Sequence, residues 1–148
     1  MQGIPSIDYE PLYPMLLAIS YGSFGENWFG VTFLQAVLHA STSIIIYKIG
    51  IIIWDYKAGI FAAVTHCFYP FLFFHSLSVI DTTLFIFLNL ALIYSVLMVR
   101  LSSPCIRWYY YFFIGFLAAL QFLTRGTAIV FIPGLVLVLM IWLWSDIS

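Results

Sequence analysis

The stretch VIDTTLFIFLNLALIYSVLMV, Val79 to Val99, carries one charged residue, Asp81, at its third position and none in the eighteen that follow. At about 1.5 Å of rise per residue it makes a helix of about 30 Å, the thickness of a bilayer's hydrocarbon core. It is not exceptional in this chain. Of 148 residues, 64% are hydrophobic, 20% aromatic and only 7% charged, and the mean hydropathy is +1.09. Soluble domains average about 25% charged residues. Five Lys and Arg with six Asp and Glu cannot cover a soluble surface, so the composition implies an integral membrane protein. The same five basic residues lie scattered and form no phosphate-tracking patch, which excludes nucleic-acid binding.

Working outward from Val79–Val99 with the same ruler gives five crossings: Phe29 to Ile53, Ala58 to Phe74, Val79 to Val99, Trp108 to Leu123 and Ala128 to Trp144. The last two are separated only by Thr124, Arg125, Gly126 and Thr127. One helix from Trp108 to Trp144 would measure about 55 Å, far too long to cross once, so a tight hairpin is expected. WDYKAG (54–59), HSLS (75–78) and RLSSPCIR (100–107) mark the other breaks. Trp28, Trp54, Trp108, Trp142 and Trp144 fall at the ends of these segments, as an interfacial aromatic belt requires. Ahead of them, Pro11 to Phe24 reads as an interfacial helix. Pro70 and Pro133 are expected to bend their helices. The fold class is therefore all-α: a polytopic membrane protein of about five transmembrane helices plus an N-terminal interfacial helix. It is a single domain, 1–148, with 1–28 as outer loop and interfacial helix and 29–144 as transmembrane bundle.

Orientation follows from the basic residues. Lys48, Lys57, Arg100 and Arg107 lie near or in the loops on one side, which the positive-inside rule makes cytoplasmic. The N-terminus is then non-cytoplasmic, with Asp8, Glu10, Glu26, Asp81 and Arg125. Four of the six acids and one arginine thus gather on the face opposite the lysines. A translocated N-terminus ordinarily follows a signal or a preceding span, and the first residues supply no basic and apolar leader. The sequence is therefore expected to be an interior piece of a longer multi-span protein. Cys67, in an apolar segment, and Cys105, in a polar loop, lie at different depths and are not expected to pair. His39 and His66 fall inside spans, where polar groups more often bond between helices than hold metal.

Three segments carry a resemblance to a known family: YEPLYPMLLAISYGSFG (9–25), DYKAGIFAAVTHCFYPFLFFHSLSVIDTTLFIFLNLALIYSVL (55–97) and FFIGFLAALQFLTRGTAIVFIPGLVLVL (112–139). In order they resemble the N-terminal half of the dolichyl-phosphate-mannose-protein mannosyltransferase-like family. That family includes the bacterial aminoarabinose and lipopolysaccharide-sugar transferases and shares the GT-C fold. The resemblance implies transfer of a sugar from a polyprenyl-phosphate donor to a glycan, lipid or protein acceptor at the outer or lumenal face, in a bacterial inner membrane or the ER.

Such chemistry needs a carboxylate for the attacking hydroxyl's proton and cationic or metal help for the leaving phosphate. By resemblance, Asp8 and Glu10 match the acidic first outer loop, Asp81 the acid opening the fourth span of the family, and Arg125 in LTRG a basic position facing the lipid phosphate. Tyr13 and His75 join Arg125 as substrate-binding candidates. A divalent metal ion is left open as a cofactor, with no ligand set identified. Bland readings stand beside these: Asp8 and Glu10 as solvated loop acids, Asp81 as a helix N-cap, and Arg125 as a headgroup-snorkelling side chain. The family's basic residue beside the loop acid is replaced here by Tyr9 or Glu10, and its catalytic Asp at the end of the first span would precede Met1. A non-catalytic membrane subunit or a transporter fragment are the alternative functions.

Overall fold

The computed structural model describes residues 11–25, 28–70, 81–102, 104–126 and 134. Among them all regular structure is helical. The elements are α1 (Leu12–Phe24), α2 (Trp28–Ile53), α3 (Tyr56–Phe68), α4 (Thr82–Leu101) and α5 (Pro104–Thr124). The all-α membrane class read from composition is what the chain adopts, and the helix expected over Pro11 to Phe24 is α1. The predicted fifth crossing, Ala128 to Trp144, lies outside the described residues.

Local chemistry sets the helix boundaries. Pro11 already has helical φ, −75°, and accepts from Met15 N–H, so the fixed ring starts α1. Gly25 stops it with φ +75°, a conformation that costs a side-chain-bearing residue strain. Asp55 caps α3, its Oδ1 accepting from the backbone N–H of Ala58 at 2.7 Å. The far end of α3 corrects an expectation. Pro70 does not merely bend a long helix: α3 ends at Phe68, and Tyr69 is extended, φ −68° and ψ 113°. Steric conflict between a proline ring and the preceding residue's helical conformation is the reason. The described α3, 13 residues or about 20 Å, is thus shorter than the expected 58–74 span. At the other loop the helices are longer than expected. α4 runs to Leu101 and α5 starts at Pro104, so Cys105 sits in the first turn of α5 rather than in a polar loop.

Among the described residues, α2 and α4 are long and apolar enough to cross a membrane, and α5 contributes a shorter apolar stretch, Trp108–Thr124. Hydroxyl side chains within α2 satisfy themselves on their own helix: Thr32, Ser41, Thr42 and Ser43 each donate to the carbonyl four residues earlier. That removes the penalty of carrying them into an apolar medium.

α4 is the centre of packing. Leu84, Leu88, Leu92, Val96 and Val99, spaced by four and three, form a buried stripe that meets Ile114 and Leu117 of α5. α2 packs between α3 and α4, and α1 lies across α2 and touches α5. Leu12, Tyr13 and Leu16 of α1 close one end of the stripe. The outward side chains are as apolar as the inward ones: Trp54, Phe61, Phe68 and Phe112 are all more than two-thirds exposed, which suits lipid and not water. Where α2 crosses α3, a Cβ on Gly50 would lie 2.6 Å from Gly59 Cα, so two glycines permit backbone contact. Farther along that crossing the His39 and His66 rings stack at 4.7 Å, and Ser43 Oγ lies 3.0 Å from His66 Nδ1. Between these helices His66 thus bonds to Ser43, and His39 meets it by ring stacking.

Candidate functional site

The site is built where α1 and α4 begin and α5 ends. α4 opens at Asp81, and α5, running back beside it, closes at Thr124. The residues flanking the two helix ends therefore meet: Arg125 Nε lies 3.4 Å from Asp81 Oδ2, with the arginine side chain 42% exposed and the aspartate 23%. Each charge also suits its helix end, a carboxylate at an N-terminus and a guanidinium at a C-terminus. Arg125 is further held by its backbone N–H, which donates to the Gln121 carbonyl at 3.1 Å, and by the Phe85 ring, 5.7 Å from the guanidinium carbon.

The bland reading of Asp81 as an N-cap does not hold. Its backbone φ is −65°, in the helical region, and its side chain makes no capping hydrogen bond. A cap needs an extended residue whose side chain folds back over the first turn. Here the carboxylate instead faces the arginine 44 residues later in sequence.

α1 brings a third group. Tyr13 Oη accepts a 2.8 Å hydrogen bond from Nε2 of Gln35, which is 1% exposed on α2. Burial pushes the Tyr13 phenol up to about 12; Gln35's donation opposes the shift, and the negative charge of Asp81 adds to it. Tyr13 therefore stays a neutral phenol and lies within the field of the Asp81 carboxylate.

Of the residues singled out from sequence, Asp81 and Arg125 are thus brought into contact and Tyr13 packs against the same α4–α5 stripe, while Asp8, Glu10 and His75 lie outside the described residues. Gln35 and Gln121 were not anticipated. Each is a glutamine inside an apolar helix, and Gln121 is 2% exposed with Nε2 meeting no acceptor among the described residues. A buried amide in a membrane helix is the signal that would have found them, since such groups are costly unless used.

Among the described residues no three His, Cys, Asp or Glu side chains come close enough to hold a metal ion, and Asp8, Glu10 and His75 lie outside them. What the arrangement can do is bind anions. The closest approach between the pair uses Nε, and the arginine side chain stays 42% exposed, so its guanidinium has donors beyond the one nearest Asp81.

A family model for dolichyl-phosphate-mannose-protein mannosyltransferase matches residues 8–147. The chain is also similar to undecaprenyl phosphate-alpha-4-amino-4-deoxy-L-arabinose arabinosyl transferase 1 of Proteus mirabilis (strain HI4320). The two are 34% identical over 121 residues, covering 79% of this chain and 22% of that relative. The chain therefore spans about a fifth of the length of the curated relative it matches. No solved structure matches it.

Proposed function

Because the chain belongs to the dolichyl-phosphate-mannose-protein mannosyltransferase family, we propose that it forms part of a GT-C-type membrane glycosyltransferase. The enzyme moves a sugar from a polyprenyl-phosphate donor to a glycan, lipid or protein hydroxyl at the non-cytoplasmic face. The observation that carries this reading is the Asp81–Arg125 pair, formed where α4 begins and α5 ends.

The reaction breaks the bond between the sugar's anomeric carbon and the phosphate oxygen and forms one from that carbon to the acceptor oxygen. Charge accumulates on the departing phosphate, and the acceptor's proton must leave. Arg125 meets the first need, presenting a guanidinium at a membrane-surface position where a lipid phosphate sits. Asp81, which holds Arg125 through Oδ2, has Oδ1 to receive the acceptor's proton. Asp8 and Glu10 of the preceding loop are the other carboxylates for that role. Tyr13 donates to the donor from α1, and His75 is a further substrate-binding candidate.

Sidedness supports the assignment. Lys48 near the end of α2 lies 5.7 Å from the ring of Tyr94, late in α4, so these helix ends coincide, and Lys57 and Arg100 lie close in sequence to them. With that basic end cytoplasmic, the Asp81–Arg125 end is non-cytoplasmic and the protein crosses the membrane several times. The experiment is sugar transfer by the complete native gene product carrying Arg125→Ala or Asp8→Asn. Both are expected to lose turnover while inserting normally, and unchanged turnover in both would end this reading.

A further inference from the structure

Thr32, Ser41 and Thr42 of α2 turn back onto their own helix, whereas Gln35 reaches a partner 22 residues away, on α1. It is also among the most completely buried side chains described, at 1% exposure. An amide in such a place costs about 1–3 kcal/mol unless its hydrogen bonds are made.

The direction of its bond matters. Nε2 donates, so it occupies a lone pair of the Tyr13 oxygen and leaves the phenol hydrogen to point elsewhere. Among the described residues no acceptor takes that hydrogen. The phenol keeps its proton through the working pH range, because burial and the nearby Asp81 charge both oppose ionisation. It is thus a donor that cannot switch off, on a residue packed against the buried stripe that begins at Leu84, three residues on from the Asp81 that pairs with Arg125.

We propose that Gln35 is a positioning residue for the donor: by donating to the Tyr13 oxygen it turns the phenol hydrogen toward the space beside Asp81 and Arg125, where an oxygen of a lipid phosphate receives it. The proposal rests on the donor reading above and adds to it a buried residue that never touches substrate. Tyr13 and Arg125 then grip the phosphate from two sides, one from α1 and one from the end of α5. A neutral lipid alcohol offers no comparable acceptor, so this contact selects the phosphorylated carrier.

The test is lipid binding by the complete native protein in detergent, with undecaprenyl phosphate and undecaprenol as probes. Tyr13→Phe and Gln35→Met are each expected to weaken phosphate-lipid binding roughly tenfold, the worth of one charge-assisted hydrogen bond, and to leave undecaprenol binding unchanged. The double variant should bind no more weakly than Tyr13→Phe, because Gln35 acts only through that hydroxyl. A simple staple between α1 and α2 would instead weaken both lipids alike. That result, wild-type affinity in either single variant, or multiplied losses in the double would each overturn the proposal. Tyr13→Phe keeps the ring and its packing, so it carries the test even if Gln35→Met does not fold. Arg125→Ala measured alongside keeps the two readings separate: undiminished phosphate-lipid binding there refutes the donor site, whatever Tyr13 and Gln35 show.

Discussion

Arg125→Ala separates a surface ion pair from a phosphate clamp, because the two roles differ in size by orders of magnitude. As an ion pair, Arg125 is 42% exposed and meets Asp81 at 3.4 Å. Partly solvated pairs of this kind contribute about 0–1 kcal/mol, so the variant should insert and unfold almost as the parent does. As a clamp, the guanidinium faces charge that grows only as the anomeric carbon leaves the phosphate oxygen. Removing one preorganised group of that kind typically costs about 10²–10³-fold in kcat, or about 3–4 kcal/mol. The assay is transfer from a polyprenyl-phosphate sugar in membranes containing the native gene product, normalised to folded protein. Arg125→Lys should fall between the two, since it keeps a charge but loses the planar fork and its place over Phe85. Asp81→Asn keeps the shape and removes the balancing charge, and should lower kcat with little change in unfolding. Full turnover in Arg125→Ala, or a loss accounted for by less folded protein, would refute the phosphate role.

Three further outcomes are expected. Gly59→Ala places a Cβ 2.8 Å from the Tyr47 carbonyl oxygen and should cost roughly 1–3 kcal/mol in micelle unfolding; Gly115→Ala, with nothing within 4 Å, should be neutral or slightly stabilising. Tyr13 holds its proton to about 12 when folded against 10.0 when free, so the folded state binds that proton more tightly. Stability from this source is intact below pH 10.0 and declines as pH rises from there to about 12; Tyr13→Phe should flatten that alkaline slope, and an unchanged slope would contradict the burial of the phenol. For sidedness, an impermeant thiol reagent should label Ser23→Cys from the non-cytoplasmic side and Lys57→Cys only after the membrane is opened, in a background with Cys67 and Cys105 replaced; the reverse pattern would invert the topology.

The helices were legible where a single physical rule governed them. Apolar length alone located α2 and α4 to within a few residues, since a bilayer leaves the backbone no other way to satisfy its hydrogen bonds. Boundaries set by proline were read less well. Pro70 ends α3 and Pro104 begins α5, two opposite effects of one ring, and which applies depends on whether the lost N–H was needed by the preceding turn. At the site, Asp81 and Arg125 stood out as charges in a chain with few of them. Their partnership did not, because it arises from α4 and α5 running back to back with matched lengths. Gln35 carries no charge and so did not stand out beside the few ionisable residues, and only the three-dimensional approach of α1 gives its buried amide a partner.

The lengths that pair Asp81 with Arg125 also fix the depth at which they meet. From Asp81 to Arg100 the chain climbs nineteen helical steps, about 28 Å at 1.5 Å each, close to the roughly 30 Å of a hydrocarbon core. Arg100 and Lys57 are exposed cations at one end of that distance, and a cation at bilayer depth is costly enough to hold this end among headgroups. Asp81 must then lie at the opposite headgroup layer. Under the proposed function, a lipid phosphate presented from that leaflet would meet the guanidinium without either charge entering hydrocarbon. An ion pair placed a turn or two deeper would bury both charges, and one placed much farther out would leave a lipid phosphate beyond reach, so on the proposed donor reading the length of α4 sets the depth at which Asp81 and Arg125 meet that phosphate.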